Sequence, residues 1–212
     1  MTPSIDQRLE DVYHAPSRAA LIAAYDDWAA SYDADMQGIG YIHPAIITGL
    51  VSRYILSHDA AILDAGVGTG TIGQLLDTMG FSNLLGLDMS KAMLARAKAR
   101  KIYQQLKLGV LGETLAFETA SIDAIVSTGT FTTGHAPASA FDELVRITKS
   151  GGHLIFTVGT KVWDEAGFDQ KLESLEASGL IENREVTKIY HPMPLSATES
   201  GFTARAHVYR RV

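Results

Sequence analysis

Ile62-Leu63-Asp64-Ala65-Gly66-Val67-Gly68-Thr69-Gly70 is the stretch that decides the fold. A short apolar run, Ala61 to Leu63, meets an acid, and three alternate glycines follow. Without a Cβ, glycine lets the backbone turn sharply and lets a ligand approach closely. A helix is expected next, to about Met79, with Gly80 as its left-handed cap.

The same texture continues downstream. Leu84 to Leu87 reads as a second strand ending at Asp88, and Ser90 caps a helix to about Tyr103. Its last turns hold Lys98, Arg100 and Lys101, favourable at a helix C-terminus. Leu106 to Leu111, Asp123 to Thr128 and His153 to Val158 are strands three to five. A helix from about Pro137 to Thr148 buries Phe141, Leu144 and Val145, and Asp164 to Ser178 is another. Glu185 to Tyr190 and Thr203 to Tyr209 read as a terminal hairpin, which leaves an antiparallel strand near one edge. Upstream, Ser17 to Tyr32 carries a single apolar stripe of Leu21, Ala24, Tyr25, Trp28 and Tyr32. A loop with Gly38 and Gly40 follows, and His43-Pro44 opens a further helix. Strands alternating with helices specify an α/β fold with a parallel sheet. Its ligand belongs past the C-terminal ends of the strands, where the strand order switches.

The glycine turn admits two readings. Gly68 to Gly73 satisfies G-x-G-x-x-G, and Asp88 lies 20 residues after Gly68, where the ribose-binding acid of a nicotinamide dinucleotide site belongs. The same residues also read as Asp-x-Gly-x-Gly-x-Gly from Asp64. Pyrophosphate prefers a helix N-terminus without nearby negative charge. Asp64 opposes it and suits a ligand with a cationic group. S-adenosylmethionine carries an ammonium and a sulfonium, and its ribose would use Asp88.

The segment Ile62 to Gly70 resembles motif I of the class I S-adenosylmethionine-dependent methyltransferases. Gly86-Leu87-Asp88-Met89-Ser90 with Met93 resembles their second motif, and Ser121 to Val126 the start of their fourth strand. Lys149-Ser150-Gly151-Gly152 is similar to the turn before their fifth strand, with serine in place of proline. Tyr25 to Asp33 is similar to the N-terminal cap of small-molecule members. With Tyr103-Gln104-Gln105-Leu106 and Leu111-Gly112-Glu113, it also resembles the Williams–Beuren syndrome chromosome-region methyltransferase-like group within that family. The resemblance implies a Rossmann-like seven-stranded sheet of order 3-2-1-4-5-7-6. The last strand is antiparallel, helices cover both faces, and a helical cap precedes the sheet.

It also implies roles. Gly66, Gly68 and Gly70 pass beneath S-adenosylmethionine, Asp64 shapes its methionine end, Asp88 accepts from its ribose hydroxyls, and Met89 packs on its adenine. Where the family commonly places an aspartate for the adenine amino group, this chain has Leu111, so backbone groups of Leu111 and Gly112 serve instead, with Glu113 nearby. Tyr25, Trp28 and Tyr32 form a lid whose faces attract a sulfonium; the plain alternative is ordinary helix core. Tyr41 and His43 flank the loop and line the same cavity. Thr128 to His135 is the floor of the reaction chamber, with Thr128 the best cofactor contact. No catalytic residue is assigned; His135, Tyr190 and His191 are candidate bases, against the alternative of loop histidines in solvent. No cluster has metal-ligand spacing, so no metal is expected.

Composition narrows the function. The chain has 212 residues, with 18 Lys and Arg against 24 Asp and Glu, a net charge of −6, and no cysteine. That excludes disulfides, thiolate zinc sites and a cysteine nucleophile. An acidic chain is not expected to bind nucleic acid. Met1 to Pro16 lacks a basic-then-apolar leader, and no stretch approaches the roughly 18 apolar residues of a membrane span. The expectation is one cytoplasmic domain, 1–212, with a cap at 1–57 and a Rossmann-like core at 60–212. It would transfer a methyl group by direct in-line displacement to a small molecule and release S-adenosylhomocysteine. Two rivals stay open: a nicotinamide-dependent oxidoreductase, and a cofactor-binding protein without enzymatic activity.

Overall fold

The computed structural model describes residues 3–199 and 201–212. Four helices come first: α1 (Ile5–Tyr13), α2 (Arg18–Trp28), α3 (Tyr32–Gly38) and α4 (His43–Tyr54). Then come β1 (Ile62–Ala65), α5 (Thr71–Thr78), β2 (Leu84–Asp88), α6 (Lys91–Ala99) and β3 (Tyr103–Leu108). The chain continues through β4 (Ile122–Phe131), α7 (Ala140–Ile147), β5 (Thr148–Gly159), α8 (Thr160–Glu165) and α9 (Phe168–Ala177). It ends with β6 (Ile181–Val186) and β7 (Ala204–Arg211). The seven strands lie in the order β3-β2-β1-β4-β5-β7-β6, the order expected. Neighbours among β1 to β5 pair in parallel, while β7 runs antiparallel to both β5 and β6.

Period-two alternation divides the sheet's side chains between two cores. Leu63, Ile125, Leu154 and Phe156 point to one face and meet Phe141, Leu144 and Val145 of α7 and Leu172 of α9. Ile62, Ala124, Val126 and Ile155 point to the other and meet Ile47, Leu50 and Val51 of α4 and Ile72 and Leu76 of α5. So α4, read as part of the cap, packs on the sheet. The cap has a separate core of Leu9, Val12, Leu21, Trp28, Met36 and Ile39, closed by Met193 from the tail.

Several boundaries differ from expectation, each for a local reason. The expected single helix from Ser17 to Tyr32 breaks after Trp28. Asp35 Oδ2 accepts from the Trp28 indole N–H and the Ser31 hydroxyl, each at 2.8 Å, which ties the start of α3 to the end of α2. Residues 33–38, read as loop, are helical. The helix expected from Asp164 to Ser178 is two, parted at Gly167, whose φ of +70° lies in the left-handed region. β3 starts and ends three residues earlier than expected, so Gly109 to Gly112 form loop. The strand expected at Glu185 to Tyr190 lies instead at Ile181 to Val186, where exposed Glu182, Asn183 and Arg184 on a sheet edge leave no apolar run to mark it. Beyond it, Tyr190 makes only an isolated bridge to Ala204.

Candidate active site

The switch in strand order falls between β1 and β4, and the glycine turn leaves the sheet there. Gly66 and Gly68 have φ of +84° and +51°, and Gly70, the N-cap of α5, has +87°. At Gly66 the geometry is doubly exacting, because a Cβ would stand 2.4 Å from Thr130 Oγ1. The turn is fastened to the end of β2. Gly66 and Val67 donate their N–H groups to the Leu87 carbonyl at 2.8 and 2.9 Å, and Gly68 donates to Asp88 Oδ2 at 2.8 Å. Asp88 Oδ1 accepts from the Ser90 N–H at 2.8 Å. Burial raises the Asp88 pKa, and these N–H groups oppose the rise.

Three cavities lie in this region, two of them lined by the turn itself. The outer one, of about 190 Å³, is lined by Gly66, Gly68, Asp88, Met89 and Leu111 together with Tyr25 and His135. A second, of about 380 Å³, runs along the start of α5 past Thr69, Thr71 and Arg100. The inner one, of about 30 Å³, is walled by Tyr13, Tyr25, Trp28, Tyr32, Tyr41 and Phe202. Tyr32 lines all three. Gly66, Gly68 and Thr128 lie between the first two, and Tyr25 and Gly129 between the outer and inner. Thr128 Oγ1 is buried and has no hydrogen-bond partner among the described residues.

The lid residues sit as a stacked group. Tyr25 and Trp28 rings lie 6.3 Å apart and nearly parallel, and the Tyr32 ring meets Trp28 edge-on at 4.9 Å. Trp28 is 1% exposed and touches only the inner chamber, so it backs the lid from within. Asp33 of α3 clamps the cap to the turn, accepting from the Thr69 hydroxyl and, at 2.6 Å, from Arg100. Arg18, which lines the outer cavity, pairs with Glu113, the nearby acid, which itself lines none of the three.

Other expected residues are placed differently. Asp64 lines none of the three cavities. It is buried and accepts from the Tyr103 hydroxyl at 2.8 Å; burial, aided by the charge of Asp88, pushes its pKa up to about 7. Gly70 packs against Arg100 and Tyr103, and Gly112 against Pro137, so neither opens onto a cavity. His191 is exposed and lies outside all three. His135, by contrast, is half-buried. Its Nδ1 lies 2.7 Å from the Thr133 carbonyl, which can only accept, so the proton sits on Nδ1. Nε2 therefore accepts from Tyr25 Oη at 2.7 Å, and the pair braces the lid against the loop after β4. Tyr190 reaches the site indirectly, with its hydroxyl 2.6 Å from Nδ1 of the buried His43. Tyr13 and Arg18 carried no sequence signal, because α1 and the start of α2 reach the site only through the fold of the cap.

The contact between Asp64 and Tyr103 gives a testable consequence. An alanine in place of glycine inside a helix ordinarily gains about 1 kcal/mol. At Gly73 of α5 the added Cβ would stand 2.1 Å from Tyr103 Oη. Gly73→Ala is therefore expected to lose about 1–3 kcal/mol, as overpacking does. Urea denaturation measures it, and a stabilised variant would show that Tyr103 yields freely.

The residues fit a cationic nucleoside cofactor. An acid stands at the end of β2, a cradle without Cβ atoms faces it, an unpartnered hydroxyl points between two cavities, and aromatic faces cover the junction. Residues 63–156 match the methyltransferase domain family. Human methyltransferase-like protein 27 is 32% identical over 186 residues, covering 85% of this chain and 76% of that protein. The fold is shared with the methyltransferase in the Haloferax volcanii complex with the Trm112 methyltransferase activator. That chain has TM-score 0.65 and 20% identity, with 88% of this chain and 97% of that one covered. It is also shared with geranyl diphosphate C-methyltransferase of Streptomyces coelicolor in complex with Mg2+, geranyl diphosphate and S-adenosylhomocysteine. There the TM-score is 0.63 and the identity 13%, with 95% and 87% covered. The chain belongs to the class I S-adenosylmethionine-dependent methyltransferases.

Proposed function

We propose that this methyltransferase acts on a small-molecule acceptor in the cytoplasm by direct in-line displacement. The observation that carries the reading is the inner chamber, which shares Tyr25, Tyr32 and Gly129 with the outer cavity as common walls and is closed by α1 and α2. The kinship to the Williams–Beuren group belongs to the same reading and names no acceptor. Bound S-adenosylmethionine supplies an activated methyl group on a sulfonium. The chain's own residues bind, orient and exclude water. Asp88 accepts from the ribose hydroxyls, Met89 and Leu111 enclose the adenine, and Thr128 Oγ1 offers a hydrogen bond between the two larger cavities. Faces of Tyr25 and Tyr32 favour the cation, each by about 0.5–2 kcal/mol. Much of the acceleration then comes from holding the reactants in line in a dry chamber. The chamber's size and, among the described residues, the absence of any Lys or Arg from its lining argue against a polynucleotide acceptor.

Separate titrations with S-adenosylhomocysteine and NAD test this, read by the fluorescence of Trp28, whose indole backs the lid. Micromolar binding of S-adenosylhomocysteine with a change in emission is expected, and none of NAD. Binding of NAD alone would overturn the reading. Cofactor binding without methyl transfer to any of a broad acceptor panel would favour the non-enzymatic rival.

A further inference from the structure

The inner chamber holds more information than its position. Among the described residues its lining includes no Asp, Glu, Lys or Arg. Its ionisable groups are tyrosines and one histidine, and burial keeps them uncharged. Tyr13, Tyr25, Tyr32 and Tyr41 are all pushed up by burial, and His43 is pushed down to about 3. An acceptor with a fixed charge would be buried there with no counter-charge, which costs several kcal/mol per ion. Beside the tyrosine hydroxyls and Thr157, which accepts from the Gly129 N–H at 2.9 Å, two polar side chains remain. Thr132, 8% exposed, presents a buried hydroxyl without a partner among the described residues. A buried hydroxyl left unpaired is costly unless a ligand or water completes it. His43, 2% exposed, lies at the start of α4 with Nδ1 2.6 Å from Tyr190 Oη, and its Nε2 makes no hydrogen bond among the described residues. The remaining walls include Met36 and Met193 beside aromatic rings, surroundings that suit a polarizable sulfur atom. The volume of about 30 Å³ is room for two or three waters at about 10–15 Å³ each, so the reacting end of the acceptor is compact.

We propose, resting on the methyl-transfer reading above, that the acceptor is a small uncharged thiol and that His43, oriented by Tyr190, takes its proton. The thiol sulfur forms its bond to the methyl carbon as that carbon's bond to the cofactor sulfur breaks, and the broken bond's electron pair stays with the cofactor. The S–H proton passes to His43 Nε2, with Nδ1–H donating to Tyr190 Oη. Charge is conserved in the chamber: one positive charge is lost from the sulfonium and one appears on the imidazole. A site whose tyrosine faces favour the first cation favours the second as well. The groups facing His43 are Tyr41, ring to ring at 5.1 Å, and Tyr190 at 5.4 Å, and neither carries a charge that would hold the proton permanently.

The test uses the full chain and four probes: ethanethiol, 2,2,2-trifluoroethanethiol, cysteamine and mercaptoacetate. Turnover is followed by release of S-adenosylhomocysteine. Affinity is followed by calorimetry on protein saturated with S-adenosylhomocysteine. Ethanethiol is expected to bind and react at least about 10-fold better than the cationic or anionic thiol, the least that a buried unpaired charge should cost. Equal or better use of mercaptoacetate or cysteamine would overturn the proposal. His43→Gln is expected to cut ethanethiol turnover about 10-fold, less than the ~100-fold or more of a base matched to the operating pH, because burial holds the resting imidazole uncharged. Its affinity for S-adenosylhomocysteine should be unchanged. The loss should shrink for the more acidic trifluoroethanethiol; an equal loss for both would show a structural role and overturn the assignment of His43. Tyr190→Phe, which removes one hydroxyl, provides a milder variant with the same expected pattern. If S-adenosylhomocysteine fails to bind, the methyl-transfer reading fails; if it binds and no thiol reacts, only the thiol proposal fails.

Discussion

Asp88→Ala is expected to weaken S-adenosylhomocysteine binding by about 100-fold or more, with only a modest loss of stability. In the proposed complex two ribose hydroxyls donate to the ionised carboxylate, each bond contributing about 1.5–3 kcal/mol. The structure adds a second role to the same side chain. Asp88 already accepts from Gly68 N–H and Ser90 N–H, so it shapes the turn before any ligand arrives. Each carboxylate oxygen has a further lone pair for a hydroxyl. Alanine removes both functions, whereas Asp88→Asn keeps one acceptor oxygen and is expected to lose less. Calorimetry measures the affinities and thermal denaturation the stability. An alanine variant that binds within about 2-fold of the parent would refute the ribose assignment, since one such bond contributes more than that.

What was legible in the sequence follows from how local each feature is. The alternation of strands with helices and the glycine turn come from contiguous signals: apolar runs, alternating glycines and acids at strand ends; the strand order comes with the family resemblance those signals carry. The position of Asp88 in the cavity lining follows from the same pattern, because a strand's last residue cannot be far from the switch point. The cap was less legible. Its stripe of Leu21, Tyr25, Trp28 and Tyr32 has helical spacing, yet Asp35 ends the helix by accepting from Trp28 and Ser31. A residue seven positions away thus overrides the periodicity. The inner chamber was the least legible part. Tyr13, Met193 and Phe202 come from opposite ends of the chain and meet only once the tail folds over the cap. His43 and Tyr190 are 147 positions apart, and nothing in either neighbourhood signals the other.

Asp64 shows how a residue can be found by its motif and still act differently. Its acid was read as a partner for a cationic ligand, but its carboxyl turns to Tyr103 and touches no cavity. Any effect on the cofactor is then through charge at a distance. That charge depends on pH, because burial raises the group from its ordinary 3.8 to about 7. A carboxyl raised in the folded state holds its proton there while the unfolded chain has released its own. Its stabilising effect is therefore full below 3.8 and is lost as pH rises from there through about 7. The loss is on the order of 4 kcal/mol at most, from 1.36 kcal/mol for each step of one pKa unit. Asp64→Asn cannot ionise at this position, so across that window the parent's stability is expected to fall relative to the variant's by this amount, the other titrating groups being common to both. It keeps an oxygen for the Tyr103 hydroxyl, so the comparison isolates the charge. Urea denaturation of both proteins at several pH values between the two limits provides the measurement. Parallel declines would mean that Asp64 is ionised throughout. In that case its charge, opposite a cation behind the glycine turn, would be permanent rather than gained near neutral pH.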